Sequence, residues 1–90
     1  MAADFIDVVI HGQNLGVQIE ERIIPPGGPL VDRAVGNIRN RELAGGHVLA
    51  VEHDGQLITF VEDDLILSAN DRILVAGTSD QLAHFDATAG

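Results

Sequence analysis

Hydrophobic and polar positions change their period several times along this chain, and each change marks an element. Asp4 to His11 (DFIDVVIH) is rich in β-branched residues and predicts a strand that ends at the turn-like cluster Gly12-Gln13-Asn14. From Val17 to Ile24 (VQIEERII), apolar and charged positions roughly alternate, which predicts a half-buried strand. Pro25-Pro26-Gly27-Gly28-Pro29 then stops it in a rigid elbow. Beyond the elbow the period becomes helical. Leu30, Val31, Ala34, Val35 and Ile38 fall on one stripe, and Pro29 suits a first helical position, so the spacing predicts a short amphipathic helix ending near Asn37 to Asn40.

Gly45-Gly46 breaks the chain again. HVLAVEH and QLITF then flank Asp54-Gly55, a pair suited to a type I′ turn because both central residues need positive φ. Glu62-Asp63-Asp64 is a polar connection, Leu65-Ile66-Leu67 a brief apolar segment, and Asn70-Asp71 a turn into RILVA (Arg72 to Ala76). That last run is almost wholly aliphatic, so its strand belongs in the middle of a sheet. Thr78 followed three residues later by Gln81 reads as a capping box. Leu82 and Phe85 give the closing helix an apolar anchor, and Asp86 to Gly90 reads as a frayed tail. The order is β-β-α-β-β-β-α, and the fold class is α+β: a small β-rich domain with helices packed on the sheet.

Composition narrows what such a domain can do. Hydrophobic residues make up 46% of the 90, yet only Phe5, Phe60 and Phe85 are aromatic, so the core must be aliphatic. A domain of this size buries only about 60% of its unfolded surface. So much aliphatic content leaves apolar area for a partner, and a dimer or a larger host is expected. No apolar run approaches the ~20 residues of a membrane span, and the N-terminus lacks the basic start of a signal peptide, so no direct membrane insertion is expected. Fourteen acidic residues against five basic ones give a net charge of -9, which disfavours nucleic acid and anionic lipid. The basic residues are all Arg and there is no Cys, which removes Schiff-base lysines, thiol nucleophiles, disulfides and zinc-thiolate sites.

Candidate chemistry is sparse. Ser68, Ser79, Thr59, Thr78 and four His occur without a catalytic signature, so no enzyme is read. His47 and His53 bracket one strand six residues apart, which puts them on the same face but roughly 20 Å from each other, too far to share a metal. His84 lies toward the end of the closing helix, where a solvated cap is the plain reading. Glu62-Asp63-Asp64 with Asp71 offers hard oxygen donors, without the spacing of a Ca²⁺ loop. The pairs Gly27-Gly28 and Gly45-Gly46 belong to no phosphate-binding glycine motif. Ile38-Arg39-Asn40-Arg41 followed by Gly45-Gly46-His47 is more distinctive. Two guanidinium groups, an amide and open backbone at a helix-to-strand loop could receive a phosphate, or the two Arg could simply cap the helix.

Three stretches, PPGGPLVDRAVGNI, HVLAVEHDGQLITF and LILSANDRILVAGTSDQLAHF, together resemble the C-terminal lobe of RCK domains, the TrkA-C domain, over Val17 to Phe85. Pro26 to Ile38 and Ala69 to Leu82, with Asn70-Asp71-Arg72 and Gly77-Thr78, carry the resemblance. The chain departs from the family at Asp32 and Asn70, where Gly is common, and at Val61, where Pro is frequent. The resemblance implies a dimerising regulatory lobe attached to a nucleotide-binding lobe that controls a potassium channel or transporter at the cytoplasmic side of a membrane. Residues 1–14 would then be a leading strand or linker from a longer parent chain, and 15–90 the lobe itself.

Relatives that bind cyclic di-AMP hold it in the groove between two C-lobes, touching the helix-to-strand loop with an Arg and apolar residues. Carried over by position, that Arg is Arg39, beside Ile38 and Asn40, with His47 where an aliphatic residue often sits. Other relatives bind Ca²⁺ through carboxylates, and no ligand set matches here. Two readings stay open: a lobe that senses cyclic di-AMP, another nucleotide or Ca²⁺ at the dimer groove, or a purely structural dimerisation module with no ligand of its own. The domain carries no resident cofactor in either.

Overall fold

A computed structural model describes residues 16–89. The predicted strand Asp4–His11 and the linker reading of residues 1–14 fall outside them. Along the described chain run β1 (Gln18–Ile23), α1 (Val35–Asn40), β2 (His47–His53), β3 (Gln56–Ile58), β4 (Arg72–Gly77) and α2 (Ser79–Ala89). The strands form an antiparallel sheet in the order β1-β4-β2-β3. The α+β class holds, and the aliphatic strand β4 is central, with Ile73 and Val75 almost fully sealed from solvent. Between β2 and β3, Asp54 (φ 50°) and Gly55 (φ 78°) both adopt positive φ, the conformation a type I′ hairpin requires.

One face of the sheet carries the core. Val48 and Val51 of β2 lie opposite Val75 and Ile73 of β4, and Ile38 of α1 with Leu82 and Phe85 of α2 pack onto the same cluster. α2 begins as expected: Thr78 N–H donates to Gln81 Oε1 (2.8 Å) and Gln81 N–H donates to Thr78 Oγ1 (3.2 Å), a reciprocal capping box. The predicted fraying after Asp86 does not occur. Arg22 of β1 clamps Asp86 through Nε and Nη2 (2.9 and 3.0 Å), and the helix continues to a buried Ala89. His84 consequently sits in mid-helix and exposed, away from the C-terminal cap expected for it.

The other face is open, and no described helix covers it. In register on it lie Ile19, Glu21 and Ile23 of β1, Leu74 and Arg72 of β4, Ala50 and Glu52 of β2, and Leu57 of β3. Ile23 is 57% and Leu57 64% exposed, so this face keeps the uncovered apolar area that the composition called for. A bulge between Val48 and Ala50 resets the alternation of β2. His47, opposite Ala76, therefore lies on the open face, whereas His53 shares the core-side parity of Val51. The expectation that both histidines face the same way fails because one inserted residue, the exposed Leu49, inverts everything after it.

The elbow also departs from the predicted helix. A helix from Pro29 is ruled out, since Asp32 has φ 66° and Ala34 is extended (φ -76°, ψ 142°). Residues 32–36 instead lie against 63–67 in a run of backbone bonds. Asp32 N–H donates to Leu67 O (2.8 Å), Leu67 N–H to Arg33 O (3.0 Å), Val35 N–H to Leu65 O (2.8 Å) and Gly36 N–H to Asp63 O (2.9 Å). The apolar stripe still reaches the core, with Leu30, Val35 and Ile38 at 1%, 2% and 0% exposure, but Leu30 does so from turns.

Asp32 (φ 66°) and Asn70 (φ 69°) are the two positions where the resembled family commonly has Gly. Short polar side chains tolerate this left-handed conformation and β-branched ones do not. Asn70→Gly is expected to preserve or raise stability, and Asn70→Val to lower it by about 1–2 kcal/mol, read by urea unfolding. Thr78→Ala, which removes half of the capping box, is expected to cost about 1 kcal/mol in the same assay.

Candidate ligand-binding site

The helix-to-strand loop singled out in the sequence is tightly built. The short helix α1 has no side-chain cap, and carbonyls of Leu65 and Asp63 satisfy its leading donors instead. At its other end Leu43 N–H donates to Ile38 O (2.9 Å), Gly45 N–H to Arg39 O (2.9 Å) and Gly46 N–H to Leu43 O (2.9 Å). Gln81, already part of the capping box, reaches across with Nε2 to Ala44 O (3.2 Å). A side chain at Gly46 would place its Cβ 2.8 Å from Ala76 O, so only Gly lets β2 start flush against β4. These contacts hold Arg39, Asn40, Arg41 and His47 at the two ends of one closed loop.

The predicted residues differ in what they present. Asn40 and His47 are exposed. Ile38 has no accessible surface and anchors α1 to the core, so a direct contact role does not survive its burial. Arg39 forms a fork-to-fork pair with Asp63, Nη1 donating to Oδ1 (2.7 Å) and Nη2 to Oδ2 (3.1 Å). Arg41, exposed at the C-cap, has no carboxylate in ion-pair contact among the described residues. Beneath the loop Arg33 grips the buried Glu42 through two bonds of 2.8 Å, which holds that carboxyl below the usual carboxylate range.

The acidic positions do not converge. Among the described residues, no three His, Asp or Glu side chains gather as metal ligands would. Asp63 belongs to Arg39, and Asp71 is drawn inward, only 3% exposed. Its Oδ2 accepts from Ser68 N–H (2.8 Å) and its Oδ1 lies 2.6 Å from His53 Nδ1. The sequence places Asp71 in a turn, near the acidic run of hard oxygen donors, and does not show this pair because His53 lies 18 residues away. The signal available was an Asp three residues after Ser68 at a strand start, a side-chain-to-backbone turn pattern. A concavity of about 290 Å³ lies on the open sheet face, lined by Glu21, Ala50, Glu52, Leu57, Arg72, Ile73 and Leu74.

The hydrogen bond to Asp71, reinforced by its charge and that of Asp54, raises the pKa of His53 above 6.5. The folded protein therefore prefers the imidazolium, and its stabilisation is complete below about pH 6.5. It is lost as pH rises through the raised folded value. Thermal unfolding is expected to show midpoints falling over that window, and His53→Gln is expected to flatten the dependence.

The family model of the TrkA-C domain matches residues 19–90. Among solved structures, the chain is similar to the RCK_C domain dimer of S. agalactiae BusR in complex with c-di-AMP, at 21% identity and a TM-score of 0.67, covering 78% of this chain and 92% of that one. It is similar to the RCK C domain of the potassium transport protein KtrA in complex with cyclic diadenosine monophosphate, at 16% identity and a TM-score of 0.71, covering 97% and 98%. It is also similar to the GsuK RCK domain, at 24% identity and a TM-score of 0.65, covering 98% of this chain and 20% of that one. BusR is further found in complex with its busAB-promotor DNA, in a structure of which this chain spans 45%. Net charge by itself therefore does not exclude nucleic acid for proteins that contain this fold. No curated protein matches the sequence. With four fifths of its length matched and the fold in agreement, this chain belongs to the TrkA-C domain family.

Proposed function

We propose that the chain is a ligand-sensing dimerisation lobe that regulates a potassium channel or transporter, and that it takes an anionic nucleotide of the cyclic di-AMP type between two copies. Arg39 and Arg41 would bind phosphate, and Asn40 and His47 would flank the base or sugar. The observation that carries the reading is the closed loop that bears two Arg, Arg39 and Arg41, in a chain of net charge -9, one of them without an ion-pair partner among the described residues. Charge-assisted bonds to phosphate are strong enough to outweigh an unfavourable general field. Residues 1–14 would link the lobe to a nucleotide-binding lobe in a longer parent at the cytoplasmic face of the membrane. Among the described residues no helix is long and apolar enough to cross a bilayer.

Two kinds of similarity support this reading: the family to which the chain belongs, and the cyclic dinucleotide held by two proteins of the same fold. Ca²⁺ has no converging ligand set among the described residues, so it forms no part of the proposal. Catalysis and nucleic-acid binding are not assigned either. The alternative, a dimerisation module with a vacant groove, draws on the Asp63 carboxylate that already occupies Arg39.

Calorimetric titration of cyclic di-AMP into the full chain separates the two. Binding is expected, with about one ligand per dimer by sedimentation. Replacing Arg39 and Arg41 by Ala together is expected to weaken it by roughly 100-fold or more, the scale of two lost charge-assisted bonds. No heat at millimolar nucleotide would establish the structural module.

A further inference from the structure

We infer that Asp63 is a tethered competitor that any anion must displace to reach Arg39. The inference rests on the reading of Arg39 as a ligand contact. Both Asp63 oxygens engage both terminal nitrogens of Arg39 (2.7 and 3.1 Å), so the carboxylate fills the planar fork in which a phosphate would sit. The backbone holds it there. Asp63 O accepts from Gly36 N–H (2.9 Å), and a Cβ on Gly36 would lie 2.8 Å from that of Asp63, so nothing larger than hydrogen separates this loop from α1.

The side chain itself is free to leave. Asp63 is 64% exposed and Arg39 33%, and pairs this wet contribute little to stability, so the carboxylate can swing into water when a better anion arrives. Held on a pinned backbone, it competes at the millimolar effective concentration typical of a short tether. Simple anions such as inorganic phosphate offer one weak contact and lose that competition. A phosphodiester ligand that also touches Arg41, Asn40 and the second protomer gains enough elsewhere to win it. Asp63 therefore weakens every anion that needs Arg39, so that an anion with one contact falls out of measurable range while a dinucleotide with several stays within it.

The test is calorimetry on the full chain, with cyclic di-AMP and inorganic phosphate as probes. Asp63→Asn is expected to tighten cyclic di-AMP about three- to tenfold and to make phosphate binding measurable, with both gains lost in the double variant Asp63→Asn, Arg39→Ala. Asp64→Asn makes the same change in charge next door and is expected to alter affinity less than twofold. Asp63→Ser guards against a fold-specific effect of Asn, and circular dichroism confirms that each variant folds. If Asp63→Asn leaves affinity unchanged while Arg39→Ala weakens it, competition is refuted and the nucleotide reading stands. If Asp64→Asn tightens binding equally, the general field and not displacement is responsible, which also refutes it. If Arg39→Ala has no effect, or neither the parent chain nor Asp63→Asn binds, the functional reading falls and the inference with it.

Discussion

The backbone apposition of residues 32–36 with 63–67 is the constraint on which the rest of this structure depends. Of its four bonds between 2.8 and 3.0 Å, two use the leading donors of α1, and together they fix where that helix begins and lay the acidic loop along its side. A six-residue helix would be marginal alone. It persists because its first N–H groups find carbonyls of a neighbouring segment and its apolar face, Val35 and Ile38, is sealed in the core. Where Arg39 points, and what it meets, follow from that docking.

The same economy of elements explains the one-sided sheet. Two short helices can cover only one face, and the aliphatic residues of β4 that they cover make the core. The uncovered face alternates apolar side chains with Glu21, Arg72 and Glu52, whose ion pairing keeps charge on a surface that would otherwise be continuous grease. Arginine is used in this way throughout. Arg22, Arg33, Arg39 and Arg72 each hold a carboxylate, which tempers the repulsion expected in so acidic a chain and leaves Arg41 distinct.

Much of this was legible in the order of residues because the deciding physics is local. Asp54-Gly55 needs only its own positive φ angles to turn the hairpin, and Thr78 with Gln81 caps α2 across three residues. The continuous aliphatic run of β4 states its central place because only a strand covered on both edges and buried can be so apolar. Within the candidate site, the loop and its two Arg were visible. The pairing of Arg39 with Asp63 was not, because those residues are 24 apart and meet only through the folded chain.

The sequence by itself determined the type of each described element, the aliphatic core, the acidic surface and the family resemblance, since periodicity, turn chemistry and charge act over a few residues. Tertiary structure alone decided that α1 starts at Val35 and not at the elbow, that a bulge sends His47 and His53 to opposite faces, that Asp71 goes inward to His53, and that Asp63 pairs with Arg39. Each of those outcomes is set by a partner distant in sequence, through a backbone bond or a charge that local preference does not encode. Periodicity and turn chemistry carry no record of such a partner.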